Sequence, residues 1–73
     1  MSDEPNELDL VALVKPLPEH NLPVGQTGTV VHVHAGANAF EVEFPLTPRR
    51  SVVTTVRPDE IIKLKGLAVA PAI

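Results

Sequence analysis

The chain has 73 residues, enough for one small domain that buries only about 60% of its unfolded surface on folding. It contains no cysteine, which excludes disulfides and thiolate metal sites as supports for this small core. Six basic against nine acidic residues give a formal charge of -3, and this sign argues against a protein that coats nucleic acid. We find no signal-peptide pattern and no apolar run near the ~18 residues of a membrane span, so we expect a cytoplasmic protein without membrane contact.

Charge and composition divide the chain into three parts. Residues 1–7 are acidic with no basic residue and predict a flexible tail. Residues 8–65 carry the strand patterns and predict one domain. Residues 66–73 are an apolar C-terminal tail, which either packs over the domain or adds as an extended strand to an exposed edge of a neighbouring chain.

Eight prolines leave no window for a substantial helix, because an interior proline costs ~3 kcal/mol. Between the prolines lie five short runs rich in β-branched and large apolar residues, at positions 8–14, 27–34, 39–44, 51–57 and 61–65. Pro58–Glu60 predicts a single 3₁₀ turn before the last run, with proline first and carboxylates at the positive end. The predicted fold class is therefore all-β, as a small five-stranded SH3-like barrel.

The second and third runs predict a hairpin with a four-residue loop at 35–38. That loop length pairs Val33 with Phe40, His32 with Glu41 and Val31 with Val42, so one face is apolar and the other carries histidines and glutamates. The predicted core follows from this alternation: Val11, Leu13, Val31, Val33, Phe40, Val42, Phe44, Val53, Ile61 and Leu64.

Four stretches carry a family resemblance: LVAL at 10–13, LPEH at 17–20, LPVGQTGTVV at 22–31 and FEVEF at 40–44. In this order they resemble the small bacterial domain-of-unknown-function family 4926, over roughly residues 9–65. The resemblance implies a compact SH3-like barrel with no established activity, cofactor or catalytic residue. It also implies a paired role beside an adjacently encoded small protein, in the manner of an antitoxin or immunity protein.

Gly25 and Gly28 mark a turn and the entry of a bent strand. The same Gly-x-x-Gly-x-Val pattern is similar to the KOW motif of ribosomal and transcription-elongation barrels, which leaves a nucleic-acid partner as an alternative. Such binding calls for stacking aromatics and a basic track near the glycines, and the sequence provides neither there. Arg49, Arg50 and Arg57 are the candidate partner-binding residues.

His32, His34 and Glu41 are the candidates for chemistry at a site. Histidines two apart on a strand point the same way, and their imidazoles can converge on one zinc ion, with Glu41 opposite as a third ligand. The simpler interpretation is an exposed cross-strand pair in which Glu41 favours protonated His32.

The sequence predicts no enzyme and no cofactor. It has no cysteine or tyrosine, its two serines have no base at a recognisable spacing, and its glycines do not form a phosphate-binding loop. We therefore expect a non-enzymatic protein-binding module whose partner is another protein or a second copy. A nucleic-acid-associated barrel and a histidine-based metal-binding module are the alternatives.

Overall fold

The computed structural model describes residues 4–64, which form an all-β fold of five antiparallel strands. The strands are β1 (Leu10–Leu13), β2 (Thr27–Val33), β3 (Phe40–Thr47), β4 (Arg50–Val56) and β5 (Ile61–Lys63). They make one open sheet in the order β4-β3-β2-β1-β5, so β4 and β5 are its edges. The five-stranded all-β prediction is confirmed, while closure into an SH3-like barrel stays a prediction.

Short 3₁₀ turns replace helices in the connections, at Pro18–His20, Ala35–Ala37 and Pro58–Glu60. The last of these is the turn predicted before the final strand. Proline occupies its first turn, and the backbone N–H of Arg57 donates to Glu60 Oε1 over 2.8 Å. No helix within residues 4–64 is long and apolar enough to cross a membrane.

Ten hydrophobic residues form one buried core cluster: Val11, Leu13, Leu17, Leu22, Val30, Phe40, Val42, Phe44, Val56 and Ile61. Six of the ten predicted core positions are among them, and the predicted Val33 and Leu64 are half-buried. The predictions for Val31 and Val53 are wrong, because Val31 is 40% exposed and Val53 is 53% exposed.

A β-bulge in β2 explains the error at Val31. The predicted register holds at the hairpin end, where Val33 pairs with Phe40 and His32 with Glu41. It then shifts by one residue, so Val42 pairs with Val30 instead of Val31. The extra residue turns Val31 outward and brings Val30 into the core.

The β1–β2 loop supplies two core residues that strand patterning missed. Leu17 and Leu22 form an isolated antiparallel bridge around the Pro18–His20 turn, and both side chains are buried. From the same turn, His20 Nε2 forms a hydrogen bond of 3.1 Å with Thr54 Oγ1 on β4. This loop therefore covers the core between β1 and the distant strand β4.

The two glycines at the start of β2 have different roles. Gly25 has a φ of 93°, a conformation that favours glycine. Gly28 is buried without a positive φ, and a Cβ placed there would lie 2.7 Å from Phe44 Cδ1 and 2.7 Å from Val42 Cγ1. Gly28 thus allows β2 to approach the two core side chains of β3.

The predicted tails lie partly outside the described residues. Residues 1–3 and 65–73 are not described, so the prediction for the apolar tail at 66–73 falls outside them. Within residues 4–7, Pro5 is buried, and the backbone N–H of Asn6 donates to Asp9 Oδ2 over 2.7 Å.

Candidate functional site

The three candidate arginines are not brought together. Arg50 begins β4 and Arg49 lies in the turn before it, whereas Arg57 follows the opposite end of the same strand. A strand of seven residues is about 20 Å long, so Arg57 cannot share a small ligand with the other two. A common arginine patch is not present in this fold.

Arg57 belongs to an ion-pair network at the β4–β5 turn. Its Nε lies 3.3 Å from Asp59 Oδ1, and its Nη2 lies 3.6 Å from Glu60 Oε2. Lys15 reaches the same aspartate, with 3.0 Å between Nζ and Oδ2, and this hydrogen bond is the largest cause of the lowered pKa of Asp59. These contacts hold the β1–β2 loop to the β4–β5 turn, which is a structural role.

Arg49 and Arg50 line a shallow hollow of about 280 Å³ at the β3–β4 turn. The hollow also contains Glu43, so its charge is mixed. The Glu43 carboxylate accepts a hydrogen bond of 2.7 Å from Ser51 Oγ. Within residues 4–64 neither arginine forms an ion pair, so both guanidinium groups are available to an acidic partner.

The histidine cluster differs from the predicted arrangement. Glu41 pairs with His32 in the backbone register, but its side chain contacts His34, whose Nε2 donates to Oε2 over 2.7 Å. Thr55 Oγ1 on β4 donates to the same oxygen over 2.6 Å. These two hydrogen bonds, with that of His34 the larger cause, lower the pKa of Glu41. The predicted cross-strand pairing of His32 with Glu41 is present in the backbone register, but the side-chain hydrogen bond of Glu41 is made to His34.

The cluster does not form a metal centre. The His32 and His34 rings meet edge to face with centroids 5.0 Å apart, and the Glu41 carboxylate is already held by His34 and Thr55. No group of three or more potential ligands within residues 4–64 is arranged to hold a metal ion. The arrangement is a hydrogen-bonded cross-strand cluster.

An exposed aliphatic patch is the feature that the sequence predictions missed. It consists of Leu8, Leu10 and Val31, which are 79%, 45% and 40% exposed. Leu10 pairs with Thr29, and the N–H of Leu8 donates to the carbonyl of Val30 over 2.7 Å, so all three residues adjoin the β1–β2 pairing. The alternation of side chains along β1 could have indicated part of this patch. If Val11 and Leu13 face the core, Leu10 faces outward.

Leu8 has an unusual backbone conformation in addition to its exposed side chain. Leu8 has a φ of 73°, in the left-handed region that large side chains rarely adopt. The turn is held on both sides, because the N–H of Asp9 donates to the carbonyl of Asn6 over 3.0 Å and Leu8 bonds to β2. The fold therefore places a large aliphatic side chain in solvent in a strained conformation.

Comparison with known proteins identifies a family. The model of the family described as a domain of unknown function, DUF4926, matches residues 7–48, which is more than half of the chain. The chain belongs to this family. No curated protein and no solved structure matches it.

The DUF4926 match covers some candidate sites and leaves out others. It contains the whole aliphatic patch, Gly25 before β2, Gly28 within β2, and His32, His34 and Glu41 of the histidine cluster. It ends before Arg49, so all three candidate arginines and strands β4 and β5 lie outside it. The aliphatic patch therefore lies wholly within the residues that the family model matches, whereas the candidate arginines do not.

Proposed function

We propose that this DUF4926 protein is a non-enzymatic protein-binding module of the bacterial cytoplasm and that it contacts its partner through the aliphatic patch. The observation that carries the proposal is Leu8, which is 79% exposed and has a φ of 73°. A bulky residue in this region is an outlier, with a cost of order 1–2 kcal/mol. Such strain is concentrated at binding and active sites, where the surroundings hold it in place.

The neighbours of the patch indicate what kind of partner it fits. Strand pairing places Thr29 beside Leu10, Glu43 beside Thr29, and the exposed Val53 beside Glu43. A row of neighbouring residues therefore extends from Leu10 across the outer face of the sheet to Val53. Glu7, next to Leu8, and Glu43 are both exposed carboxylates. An aliphatic centre with an acidic border fits a protein surface that has an apolar centre and basic residues around it.

The partner that best fits is a second small protein, encoded beside this one, as the family resemblance implies. Arg49 and Arg50 are then candidates for a separate contact with an acidic group of that partner. Arg57 pairs with Asp59 and Glu60 at the other end of β4, so we do not include it in this contact. Self-association through the patch is the alternative that the experiment must separate.

The test is affinity capture with the full chain and two variants of matched exposure. Leu8→Asn removes the aliphatic group and keeps a residue that tolerates the left-handed backbone. Val24→Ser removes another exposed aliphatic side chain, 59% exposed, from the β1–β2 loop outside the patch. Each variant is checked for its thermal transition, and each capture is run with and without nuclease.

We expect one protein at near-equal amount with the unaltered chain and with Val24→Ser, unaffected by nuclease, and its loss with Leu8→Asn. Equal capture by Leu8→Asn would show that the patch is not the contact surface. Loss of every captured protein on nuclease treatment would instead favour the nucleic-acid alternative. A dimeric mass for the purified chain that becomes monomeric with Leu8→Asn would mean that the patch binds a second copy.

A further inference from the structure

The two edges of the sheet differ in how they are protected. Strand β5 has only three residues and contains Lys63, and short length and lysine both hinder the pairing of an edge with another chain. Strand β4 has seven residues. Its residues 51–56 contain no charge and no proline, and all of them except Ser51 are β-branched. The edge of β4 is therefore long and unprotected, which is typical of an edge that pairs.

The hydrogen bonds of the sheet determine which residues of β4 present free backbone groups. The N–H of His34 donates to the carbonyl of Ala39 over 3.0 Å, so residue 39 directs its backbone groups towards β2. Because these groups alternate along a strand, the even-numbered residues 40–44 direct theirs towards β4, where their partners are the even-numbered residues 52–56. The backbone groups of the odd-numbered residues point outward and have no hydrogen-bond partner within residues 4–64: Ser51, Val53 and Thr55.

We propose that two copies of the chain pair through this edge, with the two β4 strands antiparallel. The free backbone groups determine the register. When Val53 lies opposite Val53 of the second copy, Ser51 lies opposite Thr55, and all three outward residues of each copy form hydrogen bonds. A shift along the strand would bring Arg49 or Arg57 into the pairing. The N–H groups of these arginines already donate within their own chain, to Thr47 Oγ1 and Glu60 Oε1.

The side chains of β4 fit this pairing. Val53, which is 53% exposed in the single chain, meets its own counterpart at the two-fold axis. Ser51 and Thr55 lie opposite each other on either side of it, where small and β-branched residues are suited to cross-strand contact. Thr54 forms its hydrogen bond with His20 through its side chain, so the backbone of β4 remains available.

The charges at the two ends of β4 are complementary in this arrangement. Antiparallel pairing brings the start of one β4 strand next to the end of the other. Arg49 and Arg50, which have no ion pair within residues 4–64, then lie beside the turn that follows β4 in the second copy. That turn carries Arg57 against two carboxylates, Asp59 and Glu60. A second copy therefore matches this edge in backbone hydrogen bonds, apolar contact and charge.

The dimer is independent of the aliphatic patch. The patch adjoins the β1–β2 pairing, and β3 separates that pairing from β4. The patch of each copy therefore stays free for the partner of the proposed function. A contact between two short strands lies at the small end of specific interfaces, so we expect a dimer that dissociates on dilution.

Analytical ultracentrifugation of the full chain across a range of concentrations tests the proposal. Val53→Lys places like charges opposite each other at the two-fold axis. Val24→Lys makes the same change at a valine of similar exposure, 59%, in the β1–β2 loop. We expect the unaltered chain, Val24→Lys and Leu8→Asn to dimerise as the concentration rises to about 1 mM. The dissociation constant of Val53→Lys should be higher by about tenfold or more.

A mixture of Val53→Lys and Val53→Glu tests the register. The two-fold axis places residue 53 opposite itself, so lysine and glutamate meet only in the mixed dimer. Equal amounts of the two variants should therefore associate more strongly than either variant alone.

Amide exchange followed by NMR provides a measurement that needs no variant. The amides of Val53 and Thr55 should be more protected at high than at low concentration of the unaltered chain. The amide of Thr54 bonds to β3 and should be protected at both concentrations. In each variant the Thr54 amide also reports that the domain is folded.

A monomeric mass up to about 1 mM, or equal dissociation constants for Val53→Lys and Val24→Lys, would overturn the proposal. A mixture that associates no better than its components would overturn the register. Dimerisation lost in Leu8→Asn and kept in Val53→Lys would assign the contact to the aliphatic patch instead. Protection of Val53 and Thr55 that appears only on addition of another protein would assign the β4 edge to that protein.

Discussion

The Nε2 atom of His34 lies 2.7 Å from Oε2 of Glu41, and this hydrogen bond joins the residue after β2 to the second residue of β3. Thr55 adds a third strand to the contact through its own hydrogen bond to the same oxygen. The ionised form of Glu41 is therefore favoured in the folded chain, and its pKa is lowered from the ordinary value of 4.5.

A lowered carboxyl pKa makes stability depend on pH in one direction. The contribution of Glu41 is complete above its unfolded-state pKa of 4.5 and is lost as the pH falls through its lower, folded-state value. Glu41→Gln should therefore lose less stability than the unaltered chain between these two values. The measurement is urea unfolding across this acidic range. Glu43→Gln is the control, since it removes a carboxylate from the same face without touching His34; parallel acid losses in the unaltered chain and Glu41→Gln would contradict the prediction.

Gly28→Ala should destabilise the fold through packing. The new Cβ would lie 2.7 Å from Phe44 Cδ1 and 2.8 Å from the carbonyl oxygen of Glu43, and the backbone atom cannot rotate away. Overpacking of this kind typically costs about 1–3 kcal/mol, measured as a lower urea midpoint. If the clash involves the ring, Gly28→Ala should cost less in a Phe44→Leu background. An additive double variant would show that the ring is not involved.

Gly25→Ala should destabilise for a different reason. Nothing lies within 4 Å of its Cβ position, but the φ of 93° is unfavourable for any residue with a side chain. We expect a loss of about 1 kcal/mol that Phe44→Leu does not relieve, and a smaller loss for Gly25→Asn, because asparagine tolerates positive φ better. Equal losses for alanine and asparagine would rule out this backbone explanation.

Val30 and Val31 provide a direct test of the bulge. Val30 is fully buried and Val31 is 40% exposed, although they are adjacent and chemically identical. Val30→Ala should lower the free energy of unfolding by about 1–2 kcal/mol, while Val31→Ala should change it by less than about 0.5 kcal/mol. Comparable losses at the two positions would mean that the register does not shift between them.

Substitutions of the arginines at the two ends of β4 should differ in their effect on thermal stability. Replacing Arg49 and Arg50 together by glutamate should leave the thermal transition nearly unchanged, because both are exposed and have no ion pair within residues 4–64. Arg57→Glu should lower it measurably, since the new carboxylate faces Asp59 and Glu60. A larger effect for the Arg49 and Arg50 pair would reverse this assignment.

The sequence allowed the strands to be predicted where alternation and loop length agreed. The hairpin end from Val33 to Phe40 has the predicted register, and the Pro58–Glu60 turn follows from proline at its start. The bulge at Val31 could not be predicted, because two adjacent valines satisfy either face equally well. Leu17 and Leu22 were missed because their burial depends on a loop crossing the core, which local periodicity does not report.

The candidate site was less predictable than the fold. The exposure of Leu10 follows from alternation, but the positive φ of Leu8 arises from bonds that connect Asn6, Asp9 and β2. The preference of Glu41 for His34 over His32 likewise depends on side-chain geometry near the bulge. In both places the deciding contacts join residues from separate elements.

The strand order also sets how the domain assembles. β2, β3 and β4 are consecutive in the chain and adjacent in the sheet, so their pairing closes only short loops. β1 and β5 come from opposite ends of the described residues, and Leu13 meets Ile61 only after the intervening chain is ordered. Since loop-closure entropy opposes distant contacts, we expect the three-strand meander to form first and the β1–β5 pair to form last and open first.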